Sequence, residues 1–255
     1  MLVAERYEKI VGLVNERGSI RVSELSELCR VTEETIRRDL DRLERAGRLR
    51  RSHGGAVSVK ETSALHPEIP YAVREITNAD EKKRIALEAI KRISPKDRIL
   101  LDASSTAWYM AADVPDLDLT VLTNSIKVAT ELSGKEKIQV ISTGGILAQR
   151  SLSFVGPLAE RSLDAYHVDK VFLSCKGVHL ERGISESNEL QARIKERMIG
   201  IADEVVLLAD SSKFGVQAFT HVADLSEVDT IITDRRMPEE TIGRLEGLGI
   251  HVVTV

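Results

Sequence analysis

Near the start of the chain, apolar positions recur at the spacing of short amphipathic helices. They predict a helix from Glu5 to Arg17, a second over 22–29, and a third after Thr32, whose hydroxyl suits the N-cap position. Gly47 is placed to end the third helix in a left-handed cap. The three apolar stripes consist of Tyr7, Ile10, Val11 and Val14; Val22, Leu25 and Leu28; and Ile36, Leu40 and Leu43.

Further along, short runs rich in β-branched residues alternate with helical patterns. A helix is expected from Asn78 to about Ile93, ahead of the first run. The predicted strands are Ile99–Leu101, Leu119–Leu122, Ile138–Ile141, Val171–Leu173, Val205–Leu208, Thr230–Thr233 and His251–Val255. The predicted helices between them lie near 105–112, 125–133, 157–164, 188–202 and 238–246. This alternation is typical of an α/β domain with a parallel sheet and helices on both faces.

The segment between these two parts follows neither pattern. Residues 59–71 contain Pro67 and Pro70 and show little hydrophobic periodicity. The sequence therefore predicts a small helical domain over 1–58, a linker over 59–77 and a larger α/β domain over 78–255.

The second and third helices, joined by a short turn, form a helix-turn-helix pattern. On the third helix Arg38, Arg42 and Arg45 lie opposite the apolar stripe, and a basic hairpin with the turn signal Gly54-Gly55 follows. Such a helix would enter the major groove, and the hairpin would contact phosphates as a wing. The residues predicted to contact DNA are Thr35, Arg37, Arg38, Arg42, Arg50, Arg51, His53, Gly54 and Gly55. An arginine face alone is also typical of a solvated helix, and the basic hairpin is what favours DNA binding.

Charge is unevenly distributed along the chain, whose net charge is −4. Residues 1–58 carry twelve Lys and Arg against ten Asp and Glu, whereas the remainder carries 24 against 30. A basic domain joined to an acidic one fits local contact with nucleic acid. No apolar run is long enough to span a bilayer or form a secretory signal, so a cytoplasmic protein is expected. Cys29 and Cys175 lack metal-ligand spacing and are expected to be buried free thiols.

Small polar residues follow several predicted strands of the α/β domain. Ligands of open α/β sheets bind just outside the carboxyl ends of the strands. Hydroxyls and free N–H groups at a strand-to-helix turn can hold an anion, and a lysine can add charge for a phosphate. The residues predicted to bind an effector are Asp102, Ser104, Ser105, Thr106, Asn124, Ser125, Gly144, Gly145 and Lys213. The alternative is that such residues merely cap helices and turns.

Motifs in both parts resemble the DeoR family of bacterial transcription regulators. Thr35-Ile-Arg-Arg-Asp-Leu40 and Arg51-Ser-His-Gly-Gly-Ala56 are similar to its winged helix. Other motifs are similar to the family's C-terminal sensor domain, namely Leu101-Asp-Ala-Ser-Ser-Thr, Thr123-Asn-Ser, Thr143-Gly-Gly, Gly183-Ile-Ser185 and Asp210-Ser-Ser-Lys-Phe-Gly215. The resemblance implies a repressor of a carbohydrate catabolic operon, without cofactor or metal ion. It also implies release from operator DNA by a phosphorylated sugar or polyol.

The family's sensor domain is similar in fold to ribose-5-phosphate isomerase, so a sugar-phosphate enzyme with a DNA-binding domain is the alternative. Isomerisation of a sugar needs a carboxylate base and a group that stabilises the enediolate. The enzyme's clustered acids are reduced here to Asp164 and Asp169, its glycine run to Lys176-Gly177, and its following Arg-Glu-Lys is absent. These differences favour a sensor without catalysis.

The size of the predicted DNA-binding domain bears on the oligomeric state. One short recognition helix reads too few bases to specify a unique genomic site. We therefore expect a homodimer or homotetramer on repeated half-sites, with the α/β domain as the contact between copies.

Overall fold

A computed structural model describes residues 3–17, 19–45, 48–52, 54–57 and 68–255 of the chain. Contacts divide the chain into two compact units, Met1–His66 and Pro67–Val255, and each unit is described by itself. The predicted end of the first domain near Ser58 and the first part of the predicted linker lie outside the described residues.

The N-terminal unit consists of three helices and a small sheet. Its elements are α1 Val3–Arg17, β1 Ser19–Arg21, α2 Val22–Cys29, α3 Glu33–Arg45, β2 Arg50–Ser52 and β3 Gly55–Val57. The three predicted helices are confirmed, and their apolar stripes meet in one core in which Ile10 and Leu40 are fully buried. The Thr35 N–H donates to the Thr32 hydroxyl at 3.3 Å and so caps α3 as expected. Gly47, the expected end of α3, lies outside the described residues.

The small sheet has the order β1-β3-β2, and both pairings are antiparallel. Residues 19–21, between the first two helices, form an edge strand of this sheet. Gly55 pairs with Arg21 so closely that a Cβ on Gly55 would lie 2.2 Å from the Ile20 carbonyl oxygen. Only glycine allows two strands to approach in this way.

The C-terminal unit is built on a seven-stranded parallel sheet of order β15-β14-β12-β9-β4-β5-β6. The strands of the unit are β4 Arg98–Leu101, β5 Leu119–Thr123, β6 Ile138–Ser142, β7 Ile146–Ala148, β8 Ser153–Val155, β9 Val168–Leu173, β10 Gly177–His179, β11 Gly183–Glu186, β12 Ala202–Leu208, β13 Thr220–Ala223, β14 Thr230–Thr233 and β15 His251–Thr254. Its helices are α4 Tyr71–Ile76, α5 Ala79–Ile90, α6 Ser105–Asp113, α7 Ile126–Leu132, α8 Pro157–Leu163, α9 Glu189–Gly200 and α10 Glu239–Gly247. All seven predicted strands lie in the parallel sheet, which confirms the predicted α/β class.

Helices cover both faces of the parallel sheet. Along β4, Ile99 and Leu101 face a core that α5, α6 and α7 complete, whereas Leu100 faces a core that α8, α9 and α10 complete. Strands run outward from the centre in two directions, with β5 and β6 on one side of β4 and β9, β12, β14 and β15 on the other. The carboxyl ends of the central strands β4, β9 and β12 therefore lie at a topological switch point, where α/β sheets bind ligands.

Two small sheets and one helix depart from the sequence prediction. The β7–β8 hairpin and the sheet β10-β11-β13 consist of strands of three or four residues, which are too short to show an alternation. Helix α4 lies inside the predicted linker 59–77, so six residues that follow no helical pattern in the sequence form a helix. Tertiary contacts explain α4, because Tyr71 is buried and its N–H donates to the Arg150 carbonyl oxygen at 2.7 Å.

Candidate DNA-binding surface and effector site

Helix α3 presents a polar face that includes Arg37, Arg38 and Arg42. Ile36 and Leu40 are fully buried on its other side and so fix the rotation of the helix. The side chains of Arg37 and Arg38 remain 49% and 75% exposed. The structure therefore places the predicted base-reading residues on one accessible surface.

The exposed arginines have partners that DNA could replace. Arg37 Nη2 lies 2.7 Å from Glu33 Oε2, Arg38 Nε lies 3.5 Å from Glu34 Oε1, and Arg42 donates to a tyrosine hydroxyl of α1 at 3.2 Å. Exposed ion pairs of this kind contribute only about 0–1 kcal/mol. Exchange of these carboxylates for phosphates or base edges would therefore cost little.

Arg51 is held by side chains of helix α3 instead of extending toward solvent. Its guanidinium pairs with Asp41, and its main-chain N–H donates to Glu44 Oε1 at 2.8 Å. Both carboxylates belong to α3, so these bonds attach β2 to that helix. Arg51 therefore positions the wing, and a phosphate contact by Arg51 stays a prediction.

The two wing glycines have different surroundings. Gly54 is exposed at the turn with φ +86°, a conformation that favours glycine. Gly55 is buried against β1, so strand pairing explains its small size, and its DNA contact stays a prediction. The Arg50 side chain and all of His53 lie outside the described residues.

In the C-terminal unit two adjoining cavities lie at the carboxyl ends of the central strands. The larger, of about 230 Å³, is lined by the loops that follow β9 and β12, by the end of β11, and by α4 and α5. The smaller, of about 40 Å³, includes Ser104, Ser105 and Thr106 at the start of α6. The residues that line both cavities are Arg74, Lys82, Cys175, Glu186 and Lys213.

Positive charge predominates around these cavities. Their cations are Arg74, Lys82, Lys176, Lys195 and Lys213, and their carboxylates are Glu68, Glu186 and Asp210. The excess is local, because residues 59–255 carry 24 Lys and Arg against 30 Asp and Glu. A site of this charge attracts anions.

A buried ion network forms the floor of the smaller cavity. Lys195 Nζ lies 2.6 Å from Glu186 Oε1 and 3.1 Å from Asp102 Oδ2, and it donates to the Ser174 carbonyl oxygen. Burial alone would raise the pKa of Glu186, but the Lys195 ammonium outweighs burial and keeps that pKa below its ordinary value. Burial alone would likewise lower the pKa of Lys195, but Glu186 and Asp102 raise it above the ordinary value. Lys195 and Glu186 are therefore both charged, and they are paired with each other inside the protein.

Arg74, in contrast, has unused donors. Its Nε and Nη2 atoms are buried and have no hydrogen-bond partner within the part of the chain that the structure describes. Its carbonyl oxygen accepts hydrogen bonds from Lys82 Nζ at 2.5 Å and Ser105 Oγ at 3.2 Å. Burial, and then the charge of Lys213, lower the pKa of Lys82 to about 8. Neither side chain forms an ion pair with another described residue.

The predicted effector residues fall into two groups. Ser104, Ser105, Thr106 and Lys213 line the cavities, and Asp102 lies beneath them. The residues that line neither cavity are Asn124, Ser125, Gly144 and Gly145.

Two residues of the second group have local structural explanations. The Ser125 hydroxyl caps α7 by accepting from the Val128 N–H at 3.2 Å. A Cβ on Gly145 would lie 2.9 Å from the Val155 carbonyl oxygen, so packing against the β7–β8 hairpin requires glycine there. The capping alternative therefore describes Ser125, and it also describes Ser104, whose hydroxyl accepts from the Ala107 N–H at 3.0 Å at the start of α6.

Sequence reasoning missed most of the cations of the site. Lys176 follows the end of β9, and Lys195 lies on α9. No spacing along the sequence connects either lysine to Arg74. Arg74 and Lys82 come from the region assigned to the linker and the first helix of the domain. No pattern along the sequence links these cations to the hydroxyl-rich strand end at 104–106.

Family models match both units of the chain. Residues 6–62 match the DeoR-like helix-turn-helix domain, and residues 77–235 match the DeoR C terminal sensor domain. The chain belongs to the DeoR family. It is 57% identical over 255 residues to the uncharacterized HTH-type transcriptional regulator YulB of Bacillus subtilis, covering 100% of this chain and 98% of that protein. It is 41% identical to the L-fucose operon activator of Haemophilus influenzae, covering 92% of this chain and 93% of that protein.

Membership of the DeoR family makes this protein a DNA-binding transcription regulator and not an enzyme. The ribose 5-phosphate isomerase of Methanocaldococcus jannaschii resembles part of its fold, with 20% identity, a TM-score of 0.41 and coverage of 54% of this chain and 55% of that one. Among the described residues, no helix is both long and apolar enough to cross a membrane. Nor does any group of three His, Cys, Asp or Glu side chains in the described ranges have an arrangement that would hold a metal ion. Both cysteines are buried and free, as expected.

Proposed function

We propose that this DeoR-family protein is a cytoplasmic repressor of a carbohydrate catabolic operon that a phosphorylated sugar or polyol releases from its operator. The observation that carries the proposal is the pair of unpartnered Arg74 N–H donors among the cations of the two cavities. A buried donor without a partner costs roughly 1–3 kcal/mol, and more when the group is charged. An anion at this position would remove that cost.

The smaller cavity suits the phosphate group. Thr106 contributes a hydroxyl at the N-terminus of α6, where the helix dipole favours negative charge. Lys82 and Lys213 contribute ammonium groups that the internal carboxylates do not neutralise, whereas Lys195 is already paired with Glu186. Phosphate is the group that uses several cations and hydroxyls at one point.

The larger cavity suits the polyhydroxyl part of the ligand. Its lining includes the amide of Asn78, the hydroxyls of Ser187 and Ser212, and the carboxylate of Asp210. Such groups can both donate and accept, as sugar hydroxyls require. Ile69 and Val73 supply an apolar side against which a carbon chain can pack. The name of the L-fucose operon activator agrees with a carbohydrate target. Because that relative is named an activator, repression by this protein has to be distinguished from activation by experiment.

Calorimetry on the full chain tests the effector. We expect a sugar phosphate to bind at least about tenfold more tightly than the same sugar without phosphate, because each charged hydrogen bond contributes about 1.5–3 kcal/mol. Lys213→Ala and Thr106→Ala should weaken binding of the phosphate. Arg161→Gln on exposed α8, away from both cavities, is the matched control. Equal affinity for the sugar with and without phosphate would contradict the proposal.

Operator binding and oligomeric state need a second experiment. Selection from a random duplex pool should recover repeated half-sites, as expected for a dimer or tetramer that presents more than one α3. The sugar phosphate should then release the selected duplex from the wild-type protein but not from Lys213→Ala. A monomer that binds a single half-site at full affinity would refute the oligomeric part. Activation of a reporter would refute repression.

A further inference from the structure

We propose that the effector's anionic group fixes α4 by accepting hydrogen bonds from the free guanidinium donors of Arg74. The inference rests on the proposed function and adds the way in which occupancy of the site acts on the chain. Arg74 lies outside residues 77–235, the range that matches the sensor-domain model.

Helix α4 is held mainly by polar contacts and not by an apolar core. It has six residues, of which only Tyr71 is buried. Val73 and Ile76 remain 48% and 76% exposed. A helix this short is marginal unless tertiary contacts stabilise it. Its position therefore depends on the groups that bind its main chain.

Two of those groups belong to the anion site itself. Lys82 Nζ donates to the carbonyl oxygens of Arg74 and Thr77 at 2.5 and 2.6 Å, and Ser105 Oγ donates to that of Arg74 at 3.2 Å. Lys82 and Ser105 also line the smaller cavity. Any ligand that contacts them in that cavity therefore acts on the same side chains that hold α4.

The guanidinium of Arg74 completes this connection. Its Nε and Nη2 atoms are buried without a hydrogen-bond partner among the described residues, and its Cζ atom lies 5.6 Å from the centre of the Tyr71 ring. The ring restricts the guanidinium, and two N–H groups of one guanidinium can bind one oxyanion in a fork. An anion in the cavity would thus join α4 directly to α6 and to Lys213.

The position of α4 in the chain gives this contact a consequence. Residues 58–70 lie between β3 and α4 in the sequence, so α4 is the first described helix after the N-terminal unit. A ligand changes DNA affinity only if it favours one conformation over another. Fixing of α4 is a local change that depends on occupancy and lies next to the connecting segment.

Hydrogen–deuterium exchange on the full chain tests the inference with inorganic phosphate as the probe and sodium chloride at matched ionic strength as the reference. We expect phosphate to slow exchange both at the start of α6, around 104–107, and in the α4 peptide, 68–77. Arg74→Gln should lose the protection of α4 and bind phosphate at least tenfold more weakly. Arg74→Lys, which keeps the charge but not the fork, should fall between Arg74→Gln and the wild type. Arg161→Gln should match the wild type.

The possible results separate the two proposals. Protection at 104–107 without protection at 68–77 in the wild type would overturn the role of α4 and leave the anion site standing. Phosphate binding and α4 protection that are unchanged in Arg74→Gln would overturn the role of Arg74. Absence of any phosphate effect on the wild type, together with no binding of sugar phosphates by calorimetry, would overturn the proposed function and this inference with it. Thermal melts of each variant show whether it is folded.

Discussion

Affinity for the phosphorylated effector should fall as the pH rises, because Lys82 must be charged to bind an anion. Burial is the largest cause of the lowered pKa of Lys82, and the charges of Lys213 and Arg74 lower that pKa further. Asp210 opposes these effects, and the resulting pKa is about 8. The sugar phosphate itself is almost fully dianionic above pH 7, since its second pKa is about 6. Lys82 is therefore the group that changes charge in this range.

The magnitude follows from the fraction of Lys82 that is charged in the free protein. With a pKa of about 8, that fraction falls about tenfold between pH 7 and pH 9, and a tenfold change in affinity corresponds to about 1.4 kcal/mol. A bound phosphate keeps Lys82 charged, so binding at pH 8 should take up about half a proton. Burial and then Lys213 also lower the pKa of Lys176, which can only steepen the fall.

Calorimetry between pH 7 and 9, in buffers of different ionisation enthalpy, measures both the affinity and the proton uptake. Lys82→Met should bind more weakly at pH 7 and lose most of the pH dependence, whereas Arg161→Gln should retain both. An affinity that stays constant over this range in the wild type would refute the reasoning. A tenfold fall in the affinity of Lys82→Met between pH 7 and 9 would refute it as well.

Three further substitutions test the other parts of the structure. Arg38→Ala should weaken binding to the selected operator by about 1–3 kcal/mol and binding to random duplex far less, in fluorescence anisotropy titrations; an equal loss on both would remove its base-reading role. Lys195→Met should lower the free energy of unfolding by about 3–5 kcal/mol in urea titrations, because it leaves Glu186 buried without its ammonium partner, and a loss below about 1 kcal/mol would show that the network is not ionised. Gly55→Ala should destabilise the N-terminal unit by about 1–3 kcal/mol through its clash with the β1 backbone, whereas Gly12→Ala, with open space around it and a helical backbone, should be neutral or stabilising; equal melting temperatures for the two variants would contradict the clash.

The sequence determined the elements whose period is long enough to be read locally. Helix α3 could be placed because Ile36 and Leu40 recur at helical spacing and Thr32 caps the helix. The seven strands of the parallel sheet could be placed because buried strands are continuous apolar runs separated by helical patterns. The hydroxyls at 104–106 could be placed at a cavity because the end of a parallel strand has a known position in such a sheet.

The tertiary structure alone decided which of the charged residues meet. Arg51 looked as available to DNA as Arg38 along the sequence, but Asp41 and the main chain of α3 occupy it. Gly55 looked like a wing residue that could approach DNA, but the close pairing of β1 and β3 buries it. Neither distinction has a local signal, because the first depends on how β2 packs against α3 and the second on the pairing of β1 with β3.

The proposed effector site likewise depends on the tertiary structure. Arg74, Lys82 and Lys213 lie on α4, on α5 and after β12, and no spacing along the sequence relates them. Folding of the sheet brings them to one cavity, where Nε and Nη2 of Arg74 are buried without a hydrogen-bond partner among the described residues. Hydrophobic periodicity determines where helices and strands form, but the meeting of side chains from separate segments depends on the packing of those elements, which acts through space and not along the chain.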